Sequence, residues 1–246
     1  AQDWRGIAAW LGLTALTELP HGRHGYRAAV IQGNVTLLYN GSASMGVCVE
    51  VSGKGCRQLE EAGRVVQWGE FIREAYGRGA RFSRLDIAFD EKAGILDLYS
   101  MKAAHLSGQT VSHFRAFQTI ETYSTGEGGG NSAAVTLVFG SSKSNTLIRA
   151  YDKAKEQGQE GHWIRVEVQT RNGNAKALVA AAVQHGEGVF VQYLAGLLDF
   201  KEEGQHSDKS RWETASWWAA FLGTVEKLRL SIQRHKPSME RLWGWF

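Results

Sequence analysis

The sequence predicts an α+β fold built around an antiparallel sheet. Four short segments alternate apolar and polar residues, several longer ones carry apolar residues at helical spacing, and glycine is abundant (29 residues) while only two prolines occur. Alternation with a period of two marks strands with one covered and one open face, the usual habit of antiparallel sheets. Glycine turns joining many short elements suit this pattern better than a few long helices do.

The elements follow in chain order. In Val47–Ser52, Val47, Val49 and Val51 oppose Cys48, Glu50 and Ser52. One helix is expected over Arg57–Tyr76, with apolar residues at Leu59, Val65, Val66, Trp68, Phe71 and Ile72 and Gly77 as its stop. In Arg84–Asp90, Leu85, Ile87 and Phe89 oppose Asp86, Ala88 and Asp90. Aspartate is depleted in strands, so two on one face require a reason. Asp97 can cap a helix that ends before Gly108, and Gly126–Ser132 (GEGGGNS) reads as a mobile loop or hairpin tip.

Further along, Leu147–Lys153 puts Arg149, Tyr151 and Lys153 on one side, and Trp163–Gln169 sets Ile164, Val166 and Val168 against Arg165, Glu167 and Gln169. Ala175–Leu198 is one or two apolar helices interrupted around Gly186–Gly188. The polar stretch Lys201–Lys209 separates it from a last helix, before which Ser210 and Glu213 have capping-box spacing. VEVSGKG at Val49–Gly55 echoes VEVQTRNG at Val166–Gly173, suggesting a duplicated sheet unit.

A chain of 246 residues with 43% hydrophobic and 22% charged residues is no disordered polymer, and it is long enough for one large domain or two small ones. No apolar stretch is long enough to span a bilayer, and with no charged n-region and apolar h-region after Ala1 no secretory leader is expected. Two cysteines, Cys48 and Cys56, make no disulfide framework and are expected to be free thiols in a cytoplasmic protein. A net charge of +3 permits nucleic-acid binding without announcing it. Eight histidines show no His-x-His pair, which argues against zinc.

On the alternation, the open face collects Glu50, Asp86, Asp90, Arg149, Tyr151, Lys153, Arg165 and Glu167. Such faces are ordinarily just solvated, and a lone strand tyrosine is ordinarily a packing residue. The chemical reading is that carboxylates offer the hard oxygens Mg²⁺ or Mn²⁺ prefers, with Ala88 leaving room between Asp86 and Asp90. Arg149 and Lys153 flank Tyr151 and, together with a metal, would favour its phenolate, which suits attack on a phosphodiester.

Three strings, FSRLDIAFD (82–90), FGSSKSNTLIRAYDKAKEQ (139–157) and WIRVEVQTR (163–171), resemble in order and spacing the Rep-trans family of plasmid and filamentous-phage rolling-circle replication initiators. VEVSGKGCRQLE (49–60) and the Trp-rich C-terminus resemble the phage branch, and the likeness covers roughly 35–246. The resemblance implies a single initiator domain over 1–246: a curved antiparallel sheet of two related halves (about 35–110 and 111–200), helices on the convex face and a helical C-terminus over 210–246. It implies a nickase in which Tyr151 becomes linked to a 5′ phosphate, Arg149 and Lys153 hold the scissile phosphate, and Asp86 and Glu167 bind Mg²⁺ or Mn²⁺, with Asp90 and Glu50 as further ligand candidates. The implied partners are origin DNA, a host superfamily 1 helicase and a second copy of the chain, with no membrane. Two other readings stay open: a relaxase of an integrated mobile element, and a non-catalytic DNA-binding regulator on the same fold.

Overall fold

Two compact units divide the chain, Ala1–Phe71 and Ile72–Phe246. The structure, a computed structural model, describes residues 3–123 and 134–230. The expected loop at 126–132 lies outside the described residues.

The first unit opens with α1 (Trp4–Trp10), capped by the Asp3 carboxylate, which accepts the Arg5 N–H. A four-stranded antiparallel sheet follows in the order β1 (Thr17–Glu18), β2 (Ala28–Gln32), β3 (Val35–Tyr39) and β4 (Cys48–Val51). Gly33-Asn34 makes the two-residue turn between β2 and β3, and Gly33 takes φ +60°, which glycine adopts without steric cost. Val35, Thr36, Leu37 and Leu38 are all buried, so β3 shows no alternation.

Ser52 caps α2 (Gly53–Glu61) by accepting the Gly55 N–H. A Cβ at Gly55 would stand 2.5 Å from the Asn34 carbonyl oxygen, so the helix start and the hairpin approach at a distance only glycine allows. The single helix expected over 57–76 is in fact two. Gly63 at φ +68° ends α2, Val65 turns into the core, and α3 (Trp68–Gly77) starts afresh. Leu11, Leu37, Leu59 and Val65 form this unit's core, where Trp10 stacks on Phe71 at 5.1 Å. Neither cysteine is in a disulfide.

The second unit runs β5 (Arg84–Glu91), α4 (Leu98–Leu106), β6 (Thr110–Ser112), β7 (Phe117–Thr122), β8 (Ala134–Phe139), β9 (Thr146–Asp152), α5 (Lys153–Glu156), β10 (Ile164–Arg171), α6 (Asn172–His185), α7 (Gly188–Leu197), β11 (Leu198–Phe200) and α8 (Ser216–Leu230). Its main sheet is antiparallel throughout, in the order β5-β10-β9-β8-β7, while β6 and β11 pair separately. One face is a dry core: Ile87, Phe89, Leu137, Phe139, Ile148, Val166 and Val168 cluster with Val179, Leu194, Trp218 and Phe221 from α6, α7 and α8. The opposite face carries the polar members of each alternation.

Asp97 caps α4 through the Ser100 N–H at 2.7 Å, and Gly186 at φ +88° separates α6 from α7, both as expected. The expected capping box at Ser210–Glu213 does not form. Asp208 instead accepts the Ser210 N–H and hydroxyl around a short 3₁₀ turn, and Glu202 accepts the N–H of Ser216 at the start of α8. VEVSGKG and VEVQTRNG are both strand-to-helix junctions, β4 into α2 and β10 into α6. Among the described residues, no helix is long and apolar enough to cross a membrane.

Where β5 ends, Glu91 ties the sheet to the following loop. Its side chain is 2% exposed and accepts the N–H groups of Ala93, Ile95 (3.1 Å) and Leu96 (3.0 Å), with His162 Nε2 at 2.7 Å. Burial opposes its charge, yet these hydrogen bonds hold its pKa below the ordinary glutamate value. The carboxylate therefore stabilises the fold above the unfolded pKa, and the contribution is lost as pH falls through the lower folded value. Glu91→Ala, which strands three backbone donors, is expected to cost about 2–4 kcal/mol, read from the denaturant midpoint at neutral pH.

Candidate active site

The antiparallel register brings the chemistry together. β10 lies between β5 and β9, and residues directly paired across strands share a face. Asp90, Arg165, Tyr151 and Thr136 form one row across the open face, and Ala88, Glu167, Arg149 and Val138 form the next. Asp86 pairs with Gln169 one step further on. Glu167 thus stands diagonally between Asp86 and Asp90, opposite the small Ala88.

Around Tyr151 the charges are arranged as arginine–carboxylate pairs. Arg149 Nη2 donates to Glu167 Oε1 at 2.5 Å, and the Tyr151 hydroxyl donates to Glu167 Oε2 at 3.2 Å. Arg165 grips Asp90 through Nε and Nη2, both at 2.7 Å, and the Trp163 indole N–H donates to the same carboxylate at 2.7 Å. Arg84 holds Asp86 at 2.9 and 2.5 Å and also donates to Gln169.

These surroundings fix protonation. Burial, followed by the negative charge of Glu167 and its acceptance of the phenolic hydrogen bond, pushes the Tyr151 pKa up to about 12. The resting group is a phenol, and the phenolate expected from the sequence calls for a metal ion as well as the flanking cations. Asp90 is half-buried, which opposes its charge, but the hydrogen bonds from Arg165 and Trp163 still hold it below the usual aspartate value.

Two expected positions are corrected. Lys153 is not the next outward residue of the Tyr151 strand, because Asp152 ends β9 and caps α5 by accepting the Lys155 N–H. The Lys153 side chain is 8% exposed, its ammonium pairs with Glu156, and it lies 5.8 Å from the Tyr151 ring centroid. Glu50 is not on this sheet at all. It belongs to β4 in the first unit, where Arg23 Nε donates to it at 2.9 Å and His24 lies 3.4 Å away. Sequence reasoning did not single out Arg84 and Gln169 as partners of Asp86, or Trp163 as a partner of Asp90. Arg84 and Gln169 were legible only as open-face members of their alternations, and Trp163 stands just before β10.

Among the described residues, no three or more His, Cys, Asp or Glu side chains converge as a metal cage. Mg²⁺ binds through as few as one or two carboxylates when a substrate phosphate and water complete its shell. The diagonal pair Asp86 and Glu167, with Ala88 opposite Glu167, fits an ion shared with a phosphate and does not fit one held by protein alone.

Fold and site together define an α+β protein whose open antiparallel face presents a tyrosine hydroxyl among guanidinium–carboxylate pairs. Residues 80–246 match the family of the Replication initiation factor, Rep-trans, and residues 11–74 match the Rolling Circle replication initiation protein N-terminal domain. The chain belongs to the Rep-trans replication initiation factor family. It is similar to a Bacillus subtilis (strain 168) protein described as a DNA relaxase, NicK, at 25% identity over 94% of this chain and 68% of that protein. It is also similar to the solved structure of a rolling-circle replication initiator protein from Geobacillus stearothermophilus. That likeness has a TM-score of 0.79 and 26% identity, and covers 94% of this chain and 90% of the other. The two family matches meet close to the boundary between the two compact units.

Proposed function

We propose that this chain nicks one DNA strand at a replication origin and starts rolling-circle replication, with Tyr151 as the nucleophile. The observation that carries the reading is the Tyr151 hydroxyl on an open sheet face, hydrogen-bonded to Glu167 and bracketed by Arg149 and Arg165. Family membership supports replication initiation, and the likeness to a relaxase supports strand nicking. The same chemistry would serve an element's relaxase.

The phenolic oxygen attacks phosphorus while its proton passes to Glu167, the acceptor already in place. The new bond is Tyr151 O–P and the broken bond is P–O3′. The departing 3′ oxygen takes a proton to become the primer hydroxyl, and the 5′ phosphate stays on the protein. Arg149 meets the phosphate as a guanidinium that exchanges a carboxylate for a phosphodiester oxygen. The buried ammonium of Lys153 lends positive potential beside the ring. Asp86 and Glu167 would hold Mg²⁺ or Mn²⁺, which supplies charge neutralisation on the phosphoryl oxygens and favours the phenolate.

The 5′ linkage conserves the bond energy, so a second transfer can reseal the strand. β9 offers one tyrosine per chain, which calls for a second copy at termination. A host superfamily 1 helicase would unwind the nicked duplex, in the cytoplasm. The test is incubation of supercoiled DNA carrying the segment around the protein's own coding sequence, with Mg²⁺ or with chelator. Relaxation with a protease-sensitive protein–DNA adduct, seen with Mg²⁺ and lost with chelator, is expected. Binding without nicking under both conditions would replace the nickase with a DNA-binding regulator.

A further inference from the structure

We infer that Arg165 is a catalytic residue that grips the scissile phosphate beside the Tyr151 hydroxyl, and that Asp90 positions this guanidinium rather than ligating a metal ion. The inference rests on the proposed tyrosine nicking reaction and names the phosphodiester contact within it.

Register and shelter carry the argument. Arg165 lies directly opposite both Asp90 on β5 and Tyr151 on β9, the middle of a three-strand row. Its guanidinium forks onto Asp90, and its strand position faces Tyr151 on β9. The fork uses the Nε hydrogen and one Nη2 hydrogen, which leaves three of the five guanidinium donors. Its side chain is only 18% exposed, against 32% for Arg149, so water screens its charge less. An arginine already held in a two-point fork loses little further freedom when a phosphate arrives, and such preorganised charge is what stabilises a phosphoryl-transfer transition state.

The neighbouring groups support this division of roles. Lys153 points its ammonium at Glu156 in a nearly enclosed position. Asp90 accepts three hydrogen bonds, two from Arg165 and one from Trp163, against two each on Asp86 and Glu167, so it is the most heavily engaged of the three carboxylates. The Trp163 ring is covered by the Lys92 ammonium, 4.1 Å from its centroid, and so braces Asp90 instead of offering a face for base stacking.

The test uses the full chain and an oligonucleotide spanning the mapped nick site, with single-turnover cleavage at saturating Mg²⁺. Arg165→Gln is expected to slow cleavage about 100-fold and Arg165→Lys, which keeps charge but not the fork, about 10-fold. Arg165→Gln should also lower the slope of log affinity against log salt by about 0.7, one phosphate contact on a single strand. Asp90→Asn should slow cleavage about 10-fold with the half-saturating Mg²⁺ concentration unchanged. The double variant should be no slower than Arg165→Gln alone, because Asp90 acts through Arg165.

Additive losses, or a raised Mg²⁺ requirement in Asp90→Asn, would make Asp90 an independent metal ligand and overturn the assignment. If Arg165→Gln melts early, Arg165→Lys decides: cleavage at the wild-type rate refutes the fork. Loss of the adduct in Tyr151→Phe with full activity in Arg165→Gln sinks this inference alone. An adduct that survives Tyr151→Phe sinks the reading beneath it.

Discussion

Tyr151→Phe is expected to abolish the covalent protein–DNA adduct, with cleavage reduced by at least about 10⁴-fold while binding of the same oligonucleotide changes less than about twofold. The size of the loss follows from the chemistry: no other atom of that side chain can form the bond to phosphorus, and removing a covalent nucleophile leaves only binding and electrostatics. The small effect on binding follows from the geometry. The hydroxyl is hydrogen-bonded to Glu167, and the arginines that would meet the DNA backbone stay on the sheet. Phenylalanine keeps the ring and the β9 backbone, so the fold should be preserved. Denaturing gels for the adduct and fluorescence anisotropy for binding separate the two effects.

Glu167→Gln is expected to give the next largest effect, a loss of about 10³-fold in cleavage. Its carboxylate accepts the phenolic hydrogen bond in the resting site, anchors Arg149 and is one of the two oxygen donors suited to a divalent ion. Glutamine keeps the shape but cannot take the proton. The variant also makes a pH prediction with a definite sign. The charge and hydrogen bond of Glu167 both push Tyr151 up, so removing the charge must move it down, from about 12 toward the ordinary tyrosine value. In DNA-free protein, tyrosinate difference absorbance, referenced to Tyr151→Phe, should show one transition shifted to lower pH. An unshifted transition would mean that Glu167 does not govern that phenol.

The open face was legible in the sequence because β5, β9 and β10 each have one covered and one wet side. Their alternation separates Asp86, Asp90, Arg149, Tyr151, Arg165 and Glu167 from the apolar core residues. Alternation specifies a face but not a sheet, so Glu50 was grouped with residues of another unit. It also does not specify the partner across the strand, and the pairings of Arg165 with Asp90 and Arg149 with Glu167 appear only once register is known. Lys153 followed the period-2 rule one residue too far, because Asp152 prefers to cap a helix than to continue a strand. β3 escaped detection because both of its faces are buried. The break at Gly63 was hidden by apolar residues that look helical on either side of it.

If the Tyr151 oxygen carries the DNA, the adduct must map to that side chain. After cleavage of the nick-site oligonucleotide and trypsin digestion, mass spectrometry should find the 5′-phosphorylated fragment on the four-residue peptide Ala150–Lys153, which holds a single tyrosine. The fragment on any other peptide, or an adduct of equal yield in Tyr151→Phe, would contradict the account.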